Sequence, residues 1–210
     1  MRSYYYIFTL LVLSSANCVA QTWNLIWQDE FNGNSLDSSK WIHDIGTGSQ
    51  YGLNGWGNNE LQYYQSQNTI LNNGSVKIIA KEEPSGIVDS WNNTMYYSSS
   101  KITTKGTFDF RYGKVEASIK TVDGQGFWPA FWMLPTGGSW PCDGEIDIME
   151  QWGSDGPSNI TTGAAHAGTC PGVSTYQSSS HVISSGSYAD NFHVYSIQWQ
   201  PGLITWYVDN

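Results

Sequence analysis

The heptapeptide Gly144–Glu150 reads Gly-Glu-Ile-Asp-Ile-Met-Glu and places three acidic side chains among apolar ones. In an α-helix, steps of about 100° per residue would put Asp147 roughly 160° away from Glu145, and the acids would not converge. In a β-strand Glu145 and Asp147 share one face, while strict alternation sends Glu150 to the other face. One extra residue would bring Glu150 back, so the sequence predicts a strand with a β-bulge at Ile148-Met149.

The segments around this heptapeptide also have the period of strands. In Lys114–Lys120 the residues Val115, Ala117 and Ile119 share one face and polar side chains occupy the other, as in a half-buried strand. Short alternating runs recur between clusters of Gly, Asn, Asp, Ser and Pro, and no window after residue 20 shows a sustained helical period. We therefore predict an all-β chain folded as an antiparallel sandwich or barrel, with the Ser/Gly-rich stretch Gly172–Ser187 as a surface loop. The further predicted strands are Val76–Ala80, Thr107–Arg111, Phe127–Leu134, Glu145–Gln151, Thr162–Ala167, Phe192–Trp199 and Leu203–Val208.

The three acids of the heptapeptide suit glycoside hydrolysis. With the bulge, the Cα atoms of Glu145 and Glu150 lie roughly 13 Å apart. Side chains that lean together on a concave sheet would bring the two carboxyl groups to about 5 Å, which is the separation in retaining glycosidases. Glu145 would then be the nucleophile and Glu150 the acid and base, with Asp147 keeping their pKa values apart. A metal site or a solvated acidic face is the alternative, although the interleaved apolar residues and the lack of a calcium-loop pattern fit neither well.

Five segments of the chain resemble the family-16 glycoside hydrolases, in the order in which that family has them. The residues Glu145–Glu150 match the family signature in the bulged form that is typical of laminarinase-like endo-β-1,3-glucanases. The resemblance extends from about residue 23 to the last residue. It implies a jelly-roll, concanavalin A-like sandwich with a concave substrate cleft open at both ends, and hence cleavage within glycan chains. The other four segments are Trp27–Phe31, Trp56–Tyr64, Arg111–Glu116 and Gly126–Pro135.

The resemblance also assigns roles to individual residues. It gives the three acids the roles that their geometry suggests, with Asp147 as the assisting acid. A structural role stays open for several of the other residues, because Trp128 and Trp132 could form a core stripe, Arg111 could pair with an acid inside the sheet, and a lone histidine is commonly structural. The residues similar to substrate-binding cleft residues of the family are Trp56, Asn59, Arg111, Trp128, Trp132 and His166.

The first 20 residues predict a secretory signal peptide. Arg2 precedes the apolar run Tyr4–Leu13, and a stretch of small residues ends at Ala20. The apolar run is too short to span a bilayer, and a buried N-terminal core helix is the alternative. We expect cleavage near Ala20, a mature catalytic domain at residues 21–210, and secretion to the extracellular space or the periplasm.

Charge and cysteine content bound the partners. The chain has 9 basic and 18 acidic residues, a formal net charge of −9, which opposes nucleic acid and anionic membranes as partners. Its 11 Trp and 13 Tyr suit a polysaccharide substrate, and we expect a monomer. With Cys18 in the signal peptide, Cys142 and Cys170 remain to form a disulfide or to lie as two buried free thiols. No cofactor is expected, although the resemblance leaves room for a structural calcium near Asp29–Gly33.

Three functions compete on this one fold: a β-1,3-glucan hydrolase, a hydrolase of another β-glycan such as mixed-linkage glucan or agarose, and a non-catalytic β-glucan-binding module. Both glutamates are present, which favours hydrolysis because recognition alone needs no carboxylates. The bulged signature favours laminarin-type glucan. The strand Leu203–Val208 runs into Asp209-Asn210, which is typical of the opening of a hairpin turn. Because the family continues with further strands, we expect the chain to lack C-terminal strands or to leave this edge unpaired.

Overall fold

A computed structural model describes residues 22–153, 158–170 and 173–209 of the 210-residue chain. These residues form β-strands and three short 3-10 helices without any α-helix, which confirms the all-β prediction. No described helix is long and apolar enough to cross a bilayer. The predicted signal peptide, residues 1–20, lies outside the described residues. The strands are β1 (Ile42–Asp44), β2 (Gln62–Tyr64), β3 (Thr69–Leu71), β4 (Val76–Ile78), β5 (Lys81–Val88), β6 (Thr94–Ser99), β7 (Lys101–Thr103), β8 (Gly113–Ile119), β9 (Ala130–Met133), β10 (Glu145–Glu150), β11 (Ile160–Gly168), β12 (Ser174–Val182), β13 (His193–Gln200) and β14 (Leu203–Val208).

Two antiparallel sheets form the sandwich. One has the strand order β12-β11-β10-β9 and the other β14-β13-β8. Smaller sheets, with the orders β2-β6-β5, β1-β7 and β3-β4, extend the structure from its N-terminal part. The pair β2–β6 is parallel, which is an exception to the predicted antiparallel pairing.

The core lies between these two sheets. Ile148 and Met149 of β10 pack against Tyr195 and Ile197 of β13 and against Tyr188, and each of these side chains is at most 4% exposed. Burying a large apolar side chain contributes about 1.5–3 kcal/mol to stability. The apolar residues of the acid-bearing heptapeptide therefore attach β10 to the second sheet and leave its acids on the opposite face.

The strand β14, which belongs to the other sheet, contacts β10 and β11 through Trp206. The indole N–H of Trp206 donates a hydrogen bond to the backbone carbonyl of Asp147 at 2.8 Å. The Trp206 ring lies directly on Gly163 of β11, where any Cβ would overlap the ring. Glycine is thus required at position 163 because an aromatic ring approaches the backbone there.

Two of the secondary-structure predictions made from the sequence are wrong. Thr107–Arg111 does not form a strand, because the amide groups of Thr107 and Phe108 both donate to the Thr104 carbonyl and close a turn. In Gly172–Ser187 the structure has the nine-residue strand β12 instead of a loop, paired with β11 along its whole length. The serine content of β12 misled the prediction, since backbone hydrogen bonds hold this edge strand while its side chains stay largely exposed.

The remaining predicted strands are confirmed with small changes at their ends. The segment Phe127–Leu134 is a strand only at Ala130–Met133, since Pro129 has no N–H to donate to a ladder. At the other end of the described chain, the Asp209 carboxylate accepts hydrogen bonds from the Val194 amide at 2.9 Å and from His193 Nδ1 at 2.7 Å. Asn210, the other half of the predicted turn, lies outside the described residues.

Candidate active site

The predicted bulge in β10 is present. Against β9, Asp147 is opposite Trp132 and Met149 is opposite Phe131, so β10 has one extra residue at this point. Against β11 the register shifts between Asp147 and Glu150. The extra residue turns the third acid back to the face of the first two, as strand geometry requires.

Each acid of β10 has its own ring N–H partner. Trp140 Nε1 donates to Glu145 Oε2 at 2.7 Å, and Trp128 Nε1 donates to Glu150 Oε1 at 2.9 Å. On the neighbouring strand β11, His166 Nε2 lies 3.0 Å from Asp147 Oδ2. These contacts fix the three carboxyl groups from three different segments of the chain.

Burial sets the protonation of the central acid. Asp147 is 4% exposed and Glu150 is 8% exposed. Burial, followed by the negative charges of Glu145 and Glu150, raises the pKa of Asp147 to about 8. Burial also raises the pKa of Glu150, although the hydrogen bond from Trp128 opposes that rise. At neutral pH Asp147 therefore holds a proton between Glu145 and Glu150.

The hydrogen bonding of His166 places a ring proton on Nε2. Its Nδ1 atom is buried and has no hydrogen-bond partner among the described residues. A buried N–H without an acceptor costs more than a buried lone pair without a donor, so the ring proton belongs on Nε2 and points to Asp147 Oδ2. The Tyr176 ring stacks on His166 with centroids 5.2 Å apart. This arrangement leaves the other oxygen of Asp147 to carry its own proton.

Aromatic rings continue on both sides of the acids. Trp132 is directly opposite Asp147 in the β9–β10 register and therefore lies on the acid face, whereas its neighbours Phe131 and Met133 pack into the core. Trp128 stacks on Trp152 at 6.2 Å. The core-stripe alternative for Trp128 and Trp132 thus does not hold, because both contact the acid face.

A half-buried lysine connects a further ring to this face. Lys101 of β7 lies with its Nζ atom 4.0 Å from the Trp56 ring centroid and 4.9 Å from that of Trp132. The negative charges of Glu60 and Glu145 both act on Lys101. Lys101 thus connects Trp56 to Trp132, and a role of Trp56 in binding substrate stays a prediction.

The structure does not bring two of the predicted cleft residues to the acids. Asn59 is exposed, and its side chain makes no hydrogen bond to the three acids in the described part of the chain. Arg111 is exposed just before β8, in the opposite sheet, where its guanidinium lies 5.1 Å from the Tyr112 ring centroid. Its predicted alternative, an ion pair with an acid inside the sheet, is absent among the described residues.

Four residues of the site were not predicted. Trp152 and Tyr176 extend the stacks on Trp128 and His166 and had no signal beyond aromatic composition. Lys101 looked like any strand lysine, since only its tertiary neighbours distinguish it. Trp140 could have been found, because it precedes the acids by five residues in the same apolar-acidic segment.

A disulfide holds the loop that carries Trp140. Cys142 and Cys170 are joined, with Cα atoms 5.5 Å apart, within the usual range for disulfides. This bond links the β9–β10 loop to the end of β11. Because Trp140 is two residues from Cys142, the disulfide restrains the indole that binds Glu145.

In the region proposed for calcium, the Asp29 carboxylate already has hydrogen-bond partners within the protein. The Asp29 oxygens accept hydrogen bonds from the Phe31 amide and the Trp41 indole, each at 2.9 Å, and Lys40 Nζ lies 3.8 Å away. The described residues contain no group of three or more His, Cys, Asp or Glu side chains placed to hold a metal ion. The side chains near Asp29 do not form a calcium site by themselves. Calcium binding in this region stays a prediction.

Comparison with known proteins agrees with this geometry. The family described as Glycosyl hydrolases family 16 matches residues 56–210. The chain belongs to glycosyl hydrolases family 16. This family-16 chain is 39% identical over 197 residues to the glucan endo-1,3-beta-glucosidase A1 of Niallia circulans and 36% identical over 200 residues to the beta-glucanase of Rhodothermus marinus. Among solved structures, the laminarinase catalytic domain of Thermotoga maritima superposes with a TM-score of 0.80 at 36% identity, over 90% of this chain and 75% of that one.

The two curated relatives are longer than the matched region. The alignments cover 89% and 91% of this chain, but only 28% of the Niallia circulans protein and 64% of the Rhodothermus marinus protein. The comparisons therefore establish the family and the jelly-roll fold, while the activity of this chain is inferred from its site.

Proposed function

We propose that residues 21–210 are the catalytic domain of a secreted endo-glycosidase that hydrolyses internal β-1,3 linkages of β-glucans with retention of configuration. The observation that carries the proposal is the bulged strand β10. Its three acids share one face, each is bound by a different ring N–H, and the central acid holds a proton at neutral pH. Paired carboxyl groups of this kind are the minimum that retaining glycosidases need.

Glu145 and Glu150 divide the reaction between them. In the first step a Glu145 oxygen bonds to the anomeric carbon while Glu150 gives its proton to the leaving glycosidic oxygen, and the C–O bond breaks. In the second step Glu150 takes a proton from water, whose oxygen displaces Glu145 from the anomeric carbon. The raised pKa of Glu150 suits the proton donor, because the group must still hold its proton near neutral pH.

Asp147 keeps these two roles apart. Three ionised carboxylates on one face would repel one another, and a proton on Asp147 removes one of the three charges. His166 binds one Asp147 oxygen and so directs the proton on the other towards the neighbouring acids. Asp147 thereby stabilises the ionised form of whichever glutamate is a carboxylate at each step.

The tryptophan rings beside the acids and the net charge of the chain indicate the class of substrate. Trp56, Trp128, Trp132 and Trp152 present flat apolar surfaces on both sides of the acids, and the apolar faces of pyranose rings stack on such surfaces. A net charge of −9 opposes sulfated galactans. Similarity to a glucan endo-1,3-beta-glucosidase and a laminarinase supports β-1,3-glucan, with mixed β-1,3/1,4-glucan as a second substrate.

The test is the release of reducing ends from laminarin, mixed-linkage glucan and agarose by the wild-type chain and by Glu145→Gln. We expect laminarin to be cleaved and the variant to lose at least about a thousandfold in kcat, since removal of a covalent nucleophile blocks the first step. Glu82→Gln is the matched control, because Glu82 is an exposed acid on β5. Folding of both variants is checked by thermal melting.

The stereochemistry of the first product tests the mechanism separately. Proton NMR of early laminarin digests is expected to show the β-anomer first, as double displacement requires. An initial α-anomer would contradict Glu145 as nucleophile. Binding of laminarin without cleavage by folded wild-type protein would instead favour a glucan-binding module, and cleavage of agarose alone would favour the galactan alternative.

A further inference from the structure

Lys101 is a half-buried cation next to the proposed active site. Its side chain is 21% exposed, and its Nζ atom lies 3.6 Å from Asp44 Oδ2 on the paired strand β1. In the β1–β7 register Asp44 and Lys101 are directly opposite, so the pair is fixed by the ladder itself. The ammonium also lies over the Trp56 and Trp132 rings at 4.0 and 4.9 Å.

Burying a lysine is costly, and the surroundings of Lys101 offset that cost. Burial lowers its pKa, and the charges of Asp44, Glu60 and Glu145 oppose that lowering. Two indole faces stabilise the cation further, and such contacts are strongest where water is excluded. Asp44 and the rings of Trp56 and Trp132 therefore contact the ammonium directly.

The two rings that Lys101 contacts have no other direct connection in the described residues. Trp132 is on β9, which pairs with β10, whereas Lys101 is on β7, which pairs with β1, and no ladder joins β7 to β9. Trp56 lies in the 3-10 helix Asn54–Gly57, where its indole donates to the Gly46 carbonyl at 3.2 Å. Because Lys101 contacts both rings, their centroids are no more than about 9 Å apart.

The position of the Trp56 and Trp132 rings relative to the acids suggests their function. Trp132 is opposite Asp147 on the acid face, and Lys101 lies over both its ring and the ring of Trp56. Both rings are half-buried, so part of each stays open to solvent. A glycan chain that reaches Glu145 from this side would meet both rings.

We propose that Lys101 is a positioning residue, which holds Trp56 and Trp132 together as one aromatic platform for the sugar rings of an uncharged glycan. The inference rests on the proposed β-glucan hydrolysis. Lys101 acts through the tryptophans, because Asp44 and the two indole faces already surround its ammonium. The platform supplies binding on one side of the acids and takes no part in proton transfer.

The test compares Lys101→Met, which keeps an unbranched side chain without the charge, with Lys101→Arg, which keeps the cation. Lys105→Met is the matched control, since Lys105 is an exposed lysine 5.8 Å from the Tyr51 ring centroid. Dissociation constants for laminarin oligosaccharides are measured by calorimetry in the Glu145→Gln background, and KM and kcat are measured in the active enzyme.

We expect Lys101→Met to weaken binding and raise KM about tenfold, an effect of the size expected when both of its cation–π contacts are lost, while kcat changes less than threefold. Lys101→Arg is expected to restore binding to within about threefold, which a merely structural lysine would not require. Unchanged affinity in folded Lys101→Met would overturn the proposal, as would a fall in kcat at constant KM. If the wild-type chain cleaves laminarin and Lys101→Met binds as well as wild type, only this proposal fails; if the wild-type chain neither binds nor cleaves any glucan, the proposed function fails with it.

Discussion

Asp147→Asn is expected to make the protein more stable at neutral pH and to leave its stability near pH 4 almost unchanged. In the unfolded chain Asp147 loses its proton near its ordinary pKa of 3.8, whereas in the folded protein it keeps the proton up to about pH 8. Between these values the folded state binds more protons, so the free energy of unfolding falls as pH rises through this window. At about 1.36 kcal/mol per pH unit, the loss reaches up to about 4 kcal/mol at pH 7. Asparagine does not titrate and still accepts the hydrogen bond from His166.

The assay is urea denaturation of wild type and variant at pH 4.5, 5.5, 6.5 and 7.5. We expect the variant to gain stability over wild type steadily along this series, and the difference to level off above about pH 8, where folded and unfolded Asp147 are both ionised. Asp109→Asn is the control, because Asp109 is exposed and makes no hydrogen bond or ion pair within the described residues. A difference between wild type and Asp147→Asn that does not change with pH would refute the burial argument for Asp147.

Two further changes test the hydrogen bonds to the glutamates. Trp128→Phe keeps an aromatic ring but removes the indole N–H that stabilises ionised Glu150, so the pKa of Glu150 rises further. The basic limb of the pH profile of kcat is therefore expected to move to higher pH. A basic limb that does not move would contradict this role of Trp128. Dithiothreitol reduces the Cys142–Cys170 disulfide and is itself oxidised to its cyclic disulfide. Reduction releases the loop that carries Trp140, whose indole donates a hydrogen bond to Glu145. We expect kcat to fall about tenfold, which corresponds to the loss of one hydrogen bond to a charged group. The double serine variant should show the lower kcat without reductant and no response to it, and an unchanged kcat after confirmed release of both thiols would refute the role of the loop.

The acid strand could be predicted from sequence because its constraints are local. Alternation along a strand forces the choice between a bulge and a misplaced Glu150, and apolar Ile148 and Met149 can only face a core. The structure has the bulge at that position and both apolar side chains in the core. The strand β8 was predictable for the same reason, since its alternation extends over seven residues.

Other elements could not be predicted, because their structure depends on distant partners. The serine-rich β12 is a strand only because β11 offers it a complete ladder of nine residue pairs. The aromatic residues of Thr107–Arg111 have strand propensity, yet no strand forms there, because Phe108 stacks on Trp27 and Phe110 meets the Trp199 ring edge-on. Lys101 is recognisable only from the rings and the aspartate that surround it, which come from three separate segments.

The placement of cations explains how the site keeps its protons. In the described residues no lysine or arginine forms an ion pair with the three acids, and their partners are the ring N–H groups of Trp128, Trp140 and His166. A guanidinium against Glu150 would favour its ionised form and remove the proton that the leaving oxygen needs. The half-buried cation Lys101 is instead paired with Asp44 and lies over two rings. Arg111 in the opposite sheet is therefore consistent with the proposed chemistry, since neutral donors can orient the carboxyl groups of an acid catalyst without discharging it.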